Sequence, residues 1–521
     1  MNSKITQSIE RLKSFKYELI LEGICVGVIA GFVVSLFRMM LIKAESLRGS
    51  VVANAMKGTE GALTGLAILT GLLIIACLCL WAEPLCGGSG IPQVKGELRG
   101  KIHQNWWKMI PAKIIGGAVS IGAGLSLGRE GPSIQLGAMV GKGFSRIGNK
   151  LTTEEKLLMT CGAGAGLSCA FSAPLAGVVF TLEGLHKNFS TDVLLSTMAA
   201  SIASDFVAYN IFGLKPVFDL TIDESLPLSM YWLILILGVI LGAFGMLYNK
   251  FTAVTQDAYE KIPSKYARLI VPFALVIPLA IYYPETLGSG YALVGQAARG
   301  EFLLAGLAVL LIMKFFYSVI SFSSGAPGGI FLPLLVIGGI TGGLFATIAG
   351  QGLGFQDYYM TNFVIYGMVG YFAAIVRSPI TGVILITEMT GDFTNFLPLC
   401  IVALVAYITA DILNGRPIYD QLLDRLLARD DSYGMTEAVK SHKVLLQSDV
   451  YIGCLMDGRK IEEMLLPKGC LIVSVMRGAV ELVPGGSTVL AGGDKITILC
   501  AEKDIAGVEA KLDNICRTVR Q

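Results

Sequence analysis

Apolar stretches long enough to cross a bilayer recur from Tyr17 to about Leu413. Clear examples are YELILEGICVGVIAGFVVSLF from Tyr17, YWLILILGVILGAFGML from Tyr231 and NFLPLCIVALVAYITADIL from Asn395. A helix that spans the hydrocarbon core needs about 20 such residues, and inside lipid the backbone must satisfy its own hydrogen bonds. The chain is therefore expected to be an all-α polytopic membrane protein. Of its 521 residues, 54% are hydrophobic and only 15% charged, where a soluble domain carries about a quarter charged. The 62 glycines suit helices that pack closely through small residues. Several apolar runs are short and end at Pro or Gly, the pattern of half-helices shielded inside protein.

Composition also excludes function classes. A net charge of +2 leaves no nucleic-acid footprint. The 11 cysteines are scattered, with no CxxC pair, so neither a disulfide framework nor a zinc site is expected. None of the three histidines has a metal-ligand neighbour at suitable spacing. Residues 1–16, within MNSKITQSIERLKSFKYE, are basic and amphipathic without a cleavable signal pattern. They read as a cytoplasmic N-terminal segment by the positive-inside rule. Residues 17–430 form the expected transmembrane domain. From residue 431 the chain turns mixed and polar, and short β-branched runs alternate with Gly/Pro turns up to a terminal helical stretch, EKDIAGVEAKLDNICRTV. Residues 431–521 are expected to form a small cytoplasmic α+β domain.

The membrane part repeats itself. SAPLAGVVFTLE (Ser172–Glu183) matches RSPITGVILITE (Arg377–Glu388), pairing Pro174 with Pro379, Gly177 with Gly382 and Glu183 with Glu388. EGPSIQLGAMVG from Glu130 matches FLPLLVIGGITG from Phe331 more faintly, pairing Pro132 with Pro333 and Gly137 with Gly338. The two matches fall in the same order, so two structural halves are expected, roughly 17–213 and 228–414. Transporters often bind ions where such halves meet, at the ends of broken helices. The repeat alone leaves open whether the halves are parallel or inverted.

Three Gly/Pro-punctuated motifs stand out: GGSGIPQVKGEL (Gly87–Leu98), GREGPSIQLG (Gly128–Gly137) and GAPGGIFLPLLVIG (Gly325–Gly338). Glycine lets the backbone turn, and proline suits the first helical position. The helix N-termini so created carry unpaired N–H groups and partial positive charge, and several aimed at one place would bind an anion. Packing and capping alone explain one such motif. Three of them in a repeated membrane protein favour an ion site.

These motifs as a set, with the tyrosine of NGRPIYDQLL, make residues Leu19 to Leu426 resemble the CLC chloride channels and chloride/proton antiporters. The resemblance implies a homodimer with one anion pathway per subunit and two inverted repeats of tilted and broken helices. Chloride and protons are then the implied partners, with chloride as the bound substrate ion. It implies anion-binding roles for the hydroxyls of Ser89 and Tyr419 and for the backbone N–H groups of Ile330 and Phe331. Hydroxyl and amide donors suit an ion that must bind and also leave. Ser89 could equally be a helix N-cap. Glu130 matches the family's gating and proton-coupling glutamate, and Arg129 reads as a brace for its loop. Ser89 and Pro132 keep the chloride-type pattern rather than the fluoride-exporter one.

One position departs from the proton-coupled bacterial members. Where they carry an internal proton-relay glutamate, this chain has Gly184, with Glu183 before it. Either protons reach Glu130 by water, with Glu183 as a possible proton path, or coupling is weak and the chain is a passive channel. Glu183 could also have a structural role at a helix end, shared with Glu388. The segment LPKGCLIVSVMRGAVELVPGGSTVLAGGDKITILC (Leu466–Cys500) resembles the C-terminal module of TrkA-type potassium-transport regulators, which implies either a regulatory domain with a small-molecule or nucleotide ligand on residues 431–521 or a passive module that stabilises a dimer. That module raises a potassium transport protein as an alternative, yet no TVGYG-like filter is present. A membrane enzyme finds no HExxH or GxxxxGK[ST] motif. The leading expectation is a chloride/proton antiporter of a bacterial inner membrane, with both termini cytoplasmic.

Overall fold

The computed structural model describes residues 2–186, 191–428, 443–463 and 470–501, apart from 215, 219, 221, 223, 355–357, 452 and 479. The chain divides into two units, Met1–Arg429 and Asp430–Gln521.

Among the described residues, the first unit holds seven helices long and apolar enough to cross a membrane, together with shorter apolar ones such as Met360–Val376 and Phe396–Ile412. The elements that carry the argument below come in two sets. The first set is α1 (Asn2–Ala55), α2 (Thr59–Ala82), α3 (Ile91–Leu98), α4 (Trp106–Gly122), α5 (Glu130–Ile147), α6 (Thr152–Phe171), α7 (Pro174–Phe180), which runs into a π-helical turn over Thr181–His186, and α8 (Thr191–Phe212). The second set is α9 (Tyr231–Glu260), α10 (Lys265–Tyr282), α11 (Tyr291–Ala298), α12 (Leu304–Ser323), α13 (Phe331–Leu353), α14 (Met360–Val376), α15 (Pro379–Thr390) and α16 (Phe396–Ile412). α17 (Ile418–Ala428) closes the unit.

The two sets make reciprocal contacts. The N–H of Gly88 donates to the carbonyl of Gly325 at 3.2 Å, and that of Gly288 to Gly124 at 2.8 Å. Gly128 and Gly329 exchange both backbone hydrogen bonds, at 2.6 and 2.8 Å. A contact answered by its mirror, with one pair meeting itself, is the signature of a local two-fold axis, and it passes beside Gly128 and Gly329. Buried lysines follow the same rule. Lys113 on α4 donates to the carbonyls of Cys86 and Gly88, and Lys314 on α12 to those of Thr286 and Gly288. Both side chains are fully buried, and each satisfies the carbonyls of the irregular loop that precedes α3 or α11. An irregular backbone at this depth needs such partners.

Glycine sets the helix spacing. A Cβ on Gly137 would lie 2.0 Å from the carbonyl oxygen of Gly162, and one on Gly338 2.4 Å from that of Gly367. α5 therefore packs on α6, and α13 on α14, nearly backbone to backbone. Proline differs in place from the sequence expectation: α5 begins at Glu130, so Pro132 is its third residue, and Pro333 is likewise third in α13. The third N–H of a helix has no intrahelical partner either, so the ring is accommodated without loss.

The second unit is a small α+β domain. Among the described residues its strands β1 (Lys443–Asp449), β2 (Leu471–Arg477), β3 (Val480–Leu482) and β4 (Lys495–Ala501) form an antiparallel sheet in the order β1-β4-β2-β3. The expected terminal helix lies outside the described residues. Val475, Leu490, Ile496 and Ile498 are buried in its core. The Arg477 guanidinium forks onto both oxygens of Asp494, at 2.8 and 2.7 Å, and holds its carboxyl below the usual aspartate range.

Replacing Gly137 by Ala is expected to destabilise the membrane unit by about 1–3 kcal/mol through overpacking, read as a lower thermal midpoint in detergent. An unchanged midpoint would show that α5 and α6 are not in backbone contact.

Candidate functional site

The three motif loops converge beside the two-fold axis. Gly88 accepts from the N–H of Gly328 at 3.1 Å, and the Gly128–Gly329 pair joins the other two loops. Their helices then diverge, so that α3, α5 and α13 all begin near one point. Glycine is obligatory where they meet. A Cβ on Gly131 would lie 2.3 Å from Ser89 Oγ, and one on Gly128 would lie 2.3 Å from Glu130 Oε2. Gly90 adopts φ 95°, and a side chain there would collide with Gln135.

Glu130 is fully buried. Its Oε2 accepts the N–H of Leu332 at 3.3 Å, in the first turn of α13. Its Oε1 has no hydrogen-bond partner, and the nearest cation is Arg129 Nε at 3.9 Å. The carboxylate thus occupies the N-terminus of another helix, where unpaired N–H groups and the helix dipole favour negative charge. Ile330 and Phe331 sit at the cap and first position of that helix, both wholly buried. The Phe331 ring packs between Phe171 at 5.4 Å and Phe372 at 4.6 Å, which fixes the start of α13. Leu332, whose N–H makes the contact, went unnamed in the sequence reading, where the family resemblance implied only the backbone donors of its neighbours Ile330 and Phe331.

Ser89 and Tyr419 come together here. Both hydroxyls are buried and neither has a hydrogen-bond partner. They are neighbours without reaching hydrogen-bond geometry, and Tyr419 lies within electrostatic range of Glu130. A buried hydroxyl left unpaired costs about 1–3 kcal/mol, so two facing each other require a reason. Ser89 is not the N-cap of α3: that position is Gly90, with no side-chain cap. Tyr419 is held in place by the next residue, since Asp420 pairs with Lys95 of α3 at 2.6 Å and with Arg99 at 3.6 Å.

Glu183 is engaged elsewhere. Its Oε2 accepts Thr381 N–H at 2.8 Å and the Thr381 hydroxyl at 2.6 Å, and its Oε1 accepts Ile380 N–H at 3.3 Å. Its repeat mate Glu388 accepts the N–H groups of Leu175 and Ala176 at 3.0 and 2.8 Å. Each glutamate therefore caps the first turn of the other half's helix, α15 or α7. At Gly184 the Cβ direction faces the Phe180 ring at 3.1 Å.

The voltage-gated chloride channel family model matches residues 70–411. The chain belongs to the CLC family. A TrkA-C domain model matches residues 445–513 of this CLC protein. The H(+)/Cl(-) exchange transporter ClcA of Vibrio parahaemolyticus is 32% identical over 436 residues, covering 82% of this chain and 93% of that protein. The ClcA of Salmonella paratyphi B is 35% identical over 359 residues, covering 67% and 76%. Among solved structures, a slow cyanobacterial Cl-/H+ antiporter superposes with TM-score 0.75 at 29% identity, covering 79% of this chain and 99% of that one. A CLC-type fluoride/proton antiporter, at 22% identity and TM-score 0.64, shares the fold.

Glu183→Ala and Glu388→Ala are each expected to destabilise the membrane unit by about 1–2 kcal/mol, the worth of a lost helix cap. Thermal unfolding in detergent reads this, and two unchanged midpoints would contradict the capping role.

Proposed function

We propose that this CLC protein exchanges chloride for protons, with Glu130 as the gate. The observation that carries this reading is the seat of the Glu130 carboxylate on the N–H of Leu332, beside the unpartnered hydroxyls of Ser89 and Tyr419. These groups donate hydrogen bonds to an anion without presenting a full positive charge. A chloride ion wants the same N-terminus, so carboxylate and ion exclude each other. Protonation removes the charge that holds Glu130 there, the side chain leaves, and chloride takes its place. When chloride departs, the proton is released and the carboxylate returns. One site thus alternates between an anion and a carboxylate, and each exchange moves a proton.

Ser89 and Tyr419 line the chloride route on the side of α3 and α17, while Ile330 and Phe331 offer N–H groups beside Leu332. Arg129, whose Nε lies 3.9 Å from Glu130 Oε1, supplies the nearest positive charge to the gate. Donors of this kind bind weakly enough for the ion to leave. The relatives named as H(+)/Cl(-) exchangers support the same chemistry.

The protein acts as a homodimer in an inner membrane, with N- and C-termini cytoplasmic. Residues 431–521 are a regulatory module for a small molecule or nucleotide. The lysines and arginines near α3, the α5–α6 loop and α17 support that topology, and light scattering with protease protection in oriented vesicles tests it.

In proteoliposomes, an imposed chloride gradient is expected to drive proton movement, and Glu130→Gln to abolish that movement while chloride still crosses. Robust chloride flux without proton movement in the unmodified protein would instead support the passive channel suggested by Gly184. Proton movement that survives in Glu130→Gln would remove Glu130 from the mechanism.

A further inference from the structure

With Glu183 committed to capping α15, the proton that reaches Glu130 from the far side of α5 needs another carrier. A buried polar network runs along α5. Glu97, at the end of α3, is 6% exposed, Lys142 2% and Gln104 2%. Lys142 Nζ donates to Glu97 Oε1 and, at 2.5 Å, to the carbonyl of Gln104. Gln104 Nε2 donates to Glu97 Oε2 at 2.8 Å, and Gln135 Nε2 donates to Gln104 Oε1 at 2.6 Å. The network opens outward at His103, whose side chain is 80% exposed and whose Nδ1 lies 3.9 Å from Glu97 Oε1. It runs inward to Gln135, whose fully buried Oε1 has no partner. That oxygen lies 2.5 Å from where a Cβ of Gly90 would sit, next to Ser89. Ser89 in turn abuts Gly131, the residue after Glu130.

A buried ion pair is poor value as a stabiliser, because desolvation offsets most of its attraction. Ionisable groups inside a membrane unit mark ion and proton routes by default. Here a carboxylate at the Lys/Arg-rich end lies 3.9 Å from an exposed imidazole and is linked through two amides toward Ser89. Twelve residues of α5 separate Glu130 from Lys142, about 18 Å of helix, which is the span a relay must bridge. Lys95, Arg99 and Asp420 form a separate pairing at the same end.

We propose that Glu97 is the inner proton-transfer residue of this transporter, taking protons through His103 and passing them to Glu130 through water aligned by Gln104 and Gln135. The proposal rests on the proton-coupled reading above. In the step, a proton from bulk water or the His103 imidazolium adds to a carboxylate oxygen of Glu97. Lys142 keeps its ammonium and its bond to the Gln104 carbonyl. The neutral acid then gives its proton to water beside Gln135, and a proton from that water ends on the free Oε1 of Glu130, which becomes the neutral acid. Glu97 returns to the carboxylate and pairs again with Lys142. Gln104 and Gln135 carry no proton themselves; they hold Glu97 and orient the water, so they are positioning residues.

The test is flux in proteoliposomes of the full chain, with chloride and proton movement recorded together. Glu97→Gln is expected to keep chloride flux within about twofold of the unmodified protein and to lower chloride-driven proton movement at least about tenfold. Glu97→Asp restores proton movement. Gln135→Leu, which leaves the ion pair intact, uncouples in the same direction and covers the case in which Glu97→Gln fails to assemble. A purely structural role would lower both fluxes together. Wild-type coupling in Glu97→Gln and in Gln135→Leu would overturn the relay, as would uncoupling by Glu183→Gln alone. If the unmodified protein moves no protons, the antiporter reading falls and takes the relay with it, whereas coupling that survives in both Glu97→Gln and Gln135→Leu removes the relay only.

Discussion

One hydrogen bond organises the membrane unit: Glu130 Oε2 on the N–H of Leu332, 3.3 Å away. It places a carboxylate at the positive end of a helix from the opposite half of the chain. Everything nearby serves to make that meeting possible. Gly128 and Gly131 remove side chains that would fill the space, Gly128 and Gly329 lock the two loops together, and the tilted ring contacts of Phe331 with Phe171 and Phe372 fix the start of α13. In the proposed mechanism an anion and this carboxylate compete for one seat, and that competition is the gate.

The two-fold relation between the halves is the architectural reason such a seat exists. Helices from the two halves can begin at a common point only if they stop partway through the unit, and stopped helices leave polar loops at depth. The fold answers those loops twice over. Lys113 and Lys314 bond the carbonyls before α3 and α11, while Glu183 and Glu388 bond the N–H groups that open α15 and α7. Cations meet loop carbonyls and carboxylates meet helix N-termini, each on the side electrostatics prefers.

Much of this was legible in the sequence, and the rest was hidden for physical reasons. Spanning helices follow from apolar runs, and the broken ones from Gly and Pro. The repeat between Pro174–Glu183 and Pro379–Glu388 was visible, but its consequence was not: equal positions in two halves do not reveal that each glutamate crosses over to the other. PLCGGSG from Pro84 and PETLGSG from Pro284 are a further echo, and so are Lys113 and Lys314. Lysine in an apolar run signals a buried partner without naming it, since the partners are carbonyls. The placement of Ser89 beside Tyr419 depends on Lys95 and Asp420, a pairing more than three hundred residues apart in the chain that spacing does not disclose. Leu332 acts through its backbone, and the resemblance implied only the N–H groups of its neighbours Ile330 and Phe331.

The competition between chloride and Glu130 is tested most directly by the protons taken up when chloride binds. Calorimetric titration of chloride into the detergent-solubilised protein, repeated in buffers of different ionisation enthalpy, counts them. The account predicts net proton uptake as chloride displaces the carboxylate, and none in Glu130→Gln. Chloride binding with no proton uptake in the unmodified protein, or with equal uptake in both, would contradict it.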